Sequence, residues 1–296
     1  MSSRRDAVRA LAALAAAGLI PRVTRAASSA LSTGAPVAGA RVAGAPDAIE
    51  RIGLQLYTVR SLMTQDMPGT IAAVAAAGYR EVEFAGYFRR TPAEVRQLLD
   101  AHGLTAPSTH IGLDAVGAQF GATADAAQLI GIQYLTVASL DMRTITSADD
   151  WKRTADVFND VGRRAKAAGL RFAYHNHAVE FTPVDGVVPM DLLVGGTDPS
   201  LVAFELDLFW AMKAGQDPRA YFAKHPGRFE MVHVKDATAA PASDMTDVGS
   251  GVVDWTRIFA AHKTAGIRHY FVEHDSPADP MQSIRRSADY LKTLRF

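Results

Sequence analysis

AAGLRFAYHNHAVEF, residues 167–181, is the stretch on which the fold turns. Gly169 closes a helical pattern, because glycine just past a helix end takes the left-handed conformation at little cost. Phe172, Ala173 and Tyr174 then open an apolar strand. Alternation along a strand puts Ala173, His175 and His177 on one face, with Tyr174 and Asn176 on the other. Two imidazoles on an inward face, with Glu180 following on the loop, mark a strand whose C-terminal end carries chemistry.

The same unit recurs along the chain. Short runs rich in β-branched and aromatic residues appear as IGLQLY (52–57), YREVEF (79–84), LTAPSTH (104–110), IQYLTVA (132–138), LRFAYHN (170–176), VAFELDL (202–208), FEMVHVK (229–235) and HYFVEH (269–274). Helical patterns lie between them. One begins with Thr91, Pro92 and Glu94, a capping box with proline in the first turn. Eight strands in this rhythm, over roughly 250 residues, predict an α/β fold of the (β/α)8 barrel type. A doubly wound open sheet would want a glycine-rich turn after the first strand, and Thr58-Val59-Arg60 is not one. A closed barrel gathers the C-terminal strand ends at one mouth. Those ends carry Glu83, His110, His175, His177, Glu180, Asp207, His233, Lys235, Glu273 and His274.

Composition narrows what that mouth does. The 296 residues include no cysteine, so any metal must sit on His, Asp or Glu. Formal net charge is zero, which argues against a nucleic-acid partner held by a basic field. The letters HNH spell part of a nuclease motif, but its basic surroundings are missing. Asp207, His233, Glu273 and one residue from 175–180 would form a mixed oxygen and nitrogen site. Such a site suits Mn²⁺, Mg²⁺, Co²⁺ or Zn²⁺ and leaves positions for substrate oxygens. Gly249 and Gly251, in GSGVVDW (249–255), let backbone approach a ligand, and Trp210 offers a wall for a sugar face.

Together with YHNHAVEF, FELDLFW, VHVKD, GSGVVDW and YFVEHD, this cycle resembles the xylose isomerase-like barrel superfamily, in its sugar phosphate isomerase/epimerase branch. The resemblance covers about residues 50–296. It implies a divalent metal held by Glu, Asp, His and Glu from strands five to eight, and a homodimer. By motif the last three ligands are Asp207, His233 and Glu273. The strand-five glutamate is missing, and Glu180 is expected to replace it, with His175 as second choice. The implied chemistry is proton transfer next to a carbonyl of a sugar, through an enediolate, with Glu180, His177, Lys235 and Glu273 as acid or base. Glu83, His110, His175, Trp210, Gly249 and Gly251 are expected around the substrate. The outcome is isomerisation or epimerisation. A lyase or hydratase acting on keto-glycosides is the alternative, as is a sugar-binding barrel without catalysis.

The N-terminus reads separately. Arg4 and Arg5 precede a modest apolar stretch, Ala10 to Ile20, then Pro21 and a small-residue run, which resembles a twin-arginine export signal over 1–30. The apolar run is short of the ~20 residues a bilayer span needs, so no stable membrane anchor is expected. Residues 31–49 read as a flexible spacer rich in Gly, Ala and Pro. Export would place the barrel in the periplasm and disfavour a phosphorylated substrate.

Overall fold

Eight parallel strands close on themselves. In chain order they are β1 (Ile52–Gln55), β2 (Glu81–Phe84), β3 (Thr105–Ile111), β4 (Tyr134–Val137), β5 (Arg171–His175), β6 (Val202–Asp207), β7 (Phe229–Val234) and, after a two-stranded excursion, β10 (His269–Val272). The excursion pairs β8 (Asp236–Ala237) with β9 (Met245–Thr246). Around the barrel the order is β1-β10-β7-β6-β5-β4-β3-β2. This computed structural model describes residues 46–240 and 243–296, so the expected export signal lies outside the described residues.

The predicted alternation of β5 is realised. Ala173 joins Tyr134, Ala203, Met231 and Phe271 in the plug of the barrel interior. Tyr174 points outward, where Phe158 of the helix Ala148–Ala167 lies 4.9 Å from its ring and 5.1 Å from that of Phe172. Full burial of each such ring contributes about 2–3 kcal/mol. Ser147 caps this helix through a capping box with Asp150, so its first orphan N–H groups are satisfied.

Strand register brings polar residues of neighbouring strands side by side. Gln55 pairs with Glu83, Glu83 with Ser108, His175 with Glu205, and Asp207 with His233. All lie above the apolar plug, which seals the barrel beneath them.

Residues 46–49 depart from the expected spacer. Asp47 donates its N–H to the carbonyl of Phe296 at 2.7 Å and accepts from the Phe296 N–H at 2.9 Å, and Ile49 is buried. The compact unit therefore starts at Pro46. Among the described residues no helix is long and apolar enough to cross a membrane.

Candidate active site

The mouth opens into a cavity of about 540 Å³, lined by residues that include Tyr57, His110, His175, His177, Lys235, Glu273 and Asp275. Five of these come from the sequence-predicted strand ends. Beneath them lies a layer with no solvent exposure: Glu83, Glu205, Asp207 and His233.

His233 joins two halves of that layer. Its Nδ1 lies 2.8 Å from Glu273 Oε2 and 3.9 Å from Asp207 Oδ2. Its Nε2 lies 2.7 Å from Glu83 Oε2 and 3.2 Å from Glu205 Oε2. His110 Nε2 approaches Glu205 Oε2 at 2.8 Å and Glu83 Oε2 at 3.2 Å. His175 Nδ1 approaches the same Glu205 oxygen at 3.1 Å, while its Nε2 stands 3.7 Å from Asp207. Glu83 is held from below, accepting from Gln55 Nε2 at 2.6 Å and from the Ser108 hydroxyl at 2.5 Å.

Burial and charge push these groups apart in acidity. Burial alone would raise the Glu205 carboxyl, but charged His233 and hydrogen bonds from His110, His175 and His233 hold it well below the usual carboxylate range. Glu83 is raised, because burial and the Glu205 charge outweigh His110 and His233. Burial would lower His233, yet Glu205 and Glu273 lift it well above its ordinary value. Burial and charged His233 drive His175 well below the usual histidine range, keeping it neutral. Burial likewise opposes charge on Lys235, but Asp207, Glu273 and Asp275 raise it and hold the ammonium charged. Its Nζ lies 2.9 Å from Asp207, 2.6 Å from Glu273 and 2.8 Å from Asp275.

Four sequence-predicted assignments fall elsewhere in the structure. Glu180 does not reach the mouth cluster: it is buried, accepts from the Tyr174 hydroxyl at 2.5 Å and from the His177 N–H at 2.8 Å. Because Tyr174 faces outward, Glu180 follows it away from Asp207 and His233. Gly249 and Gly251 aim their N–H groups at buried Asp236, which also accepts from the Val253 N–H and the Trp255 indole. The glycines are required by this close wrapping, since a Cβ at Gly251 would collide with the Asp236 carboxylate and the Ala237 carbonyl. Trp210 stands behind the mouth lining, its ring 5.8 Å from that of His177, and its backbone N–H donates to the capping Asp207 Oδ1 at 3.0 Å. Glu83, expected at the substrate, lies below the cavity, 3.2 Å from Nε2 of the lining residue His110. Glu205 was not anticipated, although FELDLFW puts it two positions before Asp207 and therefore on the same inward face.

The donors fit a divalent ion. Two groups among the described residues bring ligand atoms within 4.8 Å of one another: His110, His175, Glu205 and His233, and Asp207, His233 and Glu273. Glu205 Oε1 and Asp207 Oδ2 are buried without a hydrogen-bond partner. Lys235 Nζ does approach Asp207 Oδ2, so that oxygen has an ionic neighbour but no well-directed hydrogen bond. Unpartnered buried carboxylate oxygens beside imidazoles are what a cation site leaves behind.

A closed parallel barrel with imidazoles and carboxylates at its C-terminal mouth defines an enzyme-type (β/α)8 barrel. Residues 71–294 match the Xylose isomerase-like TIM barrel family, and the chain belongs to it. It is similar to the inosose dehydratase of Lacticaseibacillus casei, 23% identical over 261 residues that cover 75% of this chain and 87% of that protein. It is also similar to a solved sugar phosphate isomerase/epimerase of Parabacteroides distasonis, with TM-score 0.73 and 28% identity across 82% of this chain and 98% of the other. The IolI protein, solved with a zinc atom, shares the fold at TM-score 0.67 and 14% identity, across 82% of this chain and 96% of that one.

Proposed function

We propose that this barrel is a divalent-metal-dependent lyase or dehydratase acting on a non-phosphorylated keto-sugar or a related cyclic polyol ketone. One observation carries the choice of outcome. Epimerisation by two opposed carboxylates needs a second carboxylate on the β5 side of the mouth. That side presents the imidazoles His110, His175 and His177, while Glu180 is turned to Tyr174. The name of the Lacticaseibacillus relative supports elimination.

A divalent ion bound among His110, His175, Glu205, Asp207, His233 and Glu273 would draw charge from a substrate carbonyl and acidify the neighbouring C–H. The Lys235 ammonium offsets negative charge growing on the oxygen. His177, at the mouth wall beyond β5, takes the carbon-bound proton. The same proton, carried by His177, is then delivered to the departing β-oxygen. Against a phosphate, the lining offers Glu273 and Asp275, and its ammonium is already shared among three carboxylates. Export by the twin-arginine-like leader would agree with such a substrate.

The Parabacteroides structure favours a second reading, isomerisation or epimerisation through the same enediolate. Incubation with keto-cyclitols and 3-keto-glycosides in D₂O separates the two. Elimination gives a conjugated enone, read by ultraviolet absorbance. Deuterium gained at the α-carbon without an enone would mean isomerase chemistry. Neither signal across both substrate sets, with metal bound, would sink the enzyme reading.

A further inference from the structure

His177 stands at the cavity wall without the support that a proton-transferring histidine usually has. Such an imidazole is ordinarily aimed by a third group on its far ring nitrogen. Among the described residues, the hydrogen bonds of His177 are all made by its backbone. Its ring has only ring neighbours, His175 at 5.1 Å and Trp210 at 5.8 Å.

Strand β5 ends at His175, whose partner on β6 is Glu205, so the peptide groups of His177 lie beyond the ladder. Groups that leave a ladder must find other partners. Here two side chains supply them. Glu180 Oε2 accepts the His177 N–H at 2.8 Å, and Asn176 Nδ2 donates to the His177 carbonyl at 3.2 Å. Both side chains are buried, and each is itself anchored. Glu180 Oε1 accepts from the hydroxyl of Tyr174, whose ring packs on Phe158. Asn176 Oδ1 accepts the Asp207 N–H of β6 at 3.1 Å.

We infer that Glu180 is the positioning residue of the base: with Asn176 it locks the His177 peptide, and the locked backbone aims the imidazole at the substrate carbon. This rests on the proton-transfer role given to His177 above.

The chemistry of the clamp supports that role. One backbone N–H needs one acceptor, which a hydroxyl or a water supplies at less cost than a buried carboxyl group. Glu180 instead spans two anchors, the Tyr174 hydroxyl on β5 and the His177 N–H on the turn after it. A single planar group therefore sets the separation between strand and base. Holding the backbone also leaves both ring nitrogens free, so no carboxylate competes for a proton that moves from carbon to oxygen. A displacement of about 1 Å at a reacting group can lower a rate about 100-fold, so the clamp matters to the rate as well as to the fold.

The test is a double-mutant cycle on the metal-loaded full chain, with the keto-cyclitol or 3-keto-glycoside that yields the enone. His177→Ala should lower kcat about 100–10,000-fold, the typical loss for a general base. Glu180→Gln should lower kcat about 10–100-fold with KM and metal content unchanged, because position rather than binding is lost. Tyr174→Phe removes only the hydroxyl that holds Glu180. It should shift kcat the same way by a smaller factor, and it serves in place of Glu180→Gln if that variant fails to fold. In the His177→Ala background, Glu180→Gln should bring no further loss, with or without added imidazole. A further loss of about 10-fold there would overturn the inference, since Glu180 would then act on the mouth as a whole. An unchanged kcat in Glu180→Gln would overturn it too. The ring can also be read without turnover. In ¹⁵N-histidine spectra His177 should give one sharp set of ring signals in the unaltered chain, and broadened or doubled signals in Glu180→Gln. Identical spectra would overturn the clamp. No turnover by the unaltered chain would overturn the enzyme reading instead, and full activity in His177→Ala would overturn the choice of base and this inference with it.

Discussion

Glu180 stands five residues past His175, near enough in sequence to belong to the same site. Its carboxylate instead lies against the Tyr174 hydroxyl, on the outward side of β5. Substituting Glu180→Gln should leave metal content unchanged and lower stability by about 1–3 kcal/mol, because one acceptor of a buried pair is lost. Elemental analysis and a denaturant melt would check both halves of that expectation. Loss of metal would return Glu180 to the site. His175, His233, Asp207, Lys235 and Glu273 were legible from strand ends alone, because a closed barrel leaves those ends only one place to meet. Glu205 lies two residues inside the end of β6, where a strand-end pattern does not reach. Its inward face is fixed by the same period of two that fixes Asp207, so the signal lay one step deeper. Which carboxylate pairs with which imidazole nitrogen was not legible, since that depends on ring orientation.

At the scale of elements, all eight strands stand where the apolar runs placed them, seven with ends trimmed and β3 shifted one residue onward to Ile111. IGLQLY stops as a strand at Gln55 because the Gln55 side chain accepts from the Tyr57 N–H at 3.0 Å and turns the chain into a short helix. The β8–β9 pair was invisible, since two residues per strand carry no periodicity. Gly162 offers a test in which two effects oppose. Inside the helix Ala148–Ala167, alanine is favoured over glycine by about 1 kcal/mol. Yet a Cβ there would lie 2.9 Å from both the Leu201 Cβ and the Leu201 carbonyl oxygen. Backbone cannot yield as a side chain can, so Gly162→Ala should destabilise by about 1–2 kcal/mol, net of its helix gain. A melting temperature at or above that of the unaltered protein would mean that the helix can slide on β6.

For the whole molecule, the tyrosines tie stability to alkaline pH. Seven of the eight are held above their ordinary value, burial being the largest cause in each. Tyr221 is pushed up to about 12. A phenol whose pKa is raised on folding binds its proton more tightly in the native state. Its contribution is therefore complete below about pH 10, the unfolded value, and is lost as pH climbs toward the folded one. Stability should fall between about pH 10 and 12, and most tyrosines should ionise together in one unfolding step seen by ultraviolet absorbance. Separate titrations with the fold intact would contradict the burial. Removal of bound metal by a chelator should lower the melting temperature at neutral pH as well, by mass action on the native state.

The backbone pairing of Asp47 with Phe296 reaches past stability. It brings the two ends of the barrel to a single spot, so the folded unit is nearly a ring whose starting point is arbitrary. A short linker across that spot would make the chain circular in effect, and fresh ends could then be cut at a surface turn such as 184–187. Every pairing of strands would survive such a circular permutation, and only the order in which the strands emerge during synthesis would change.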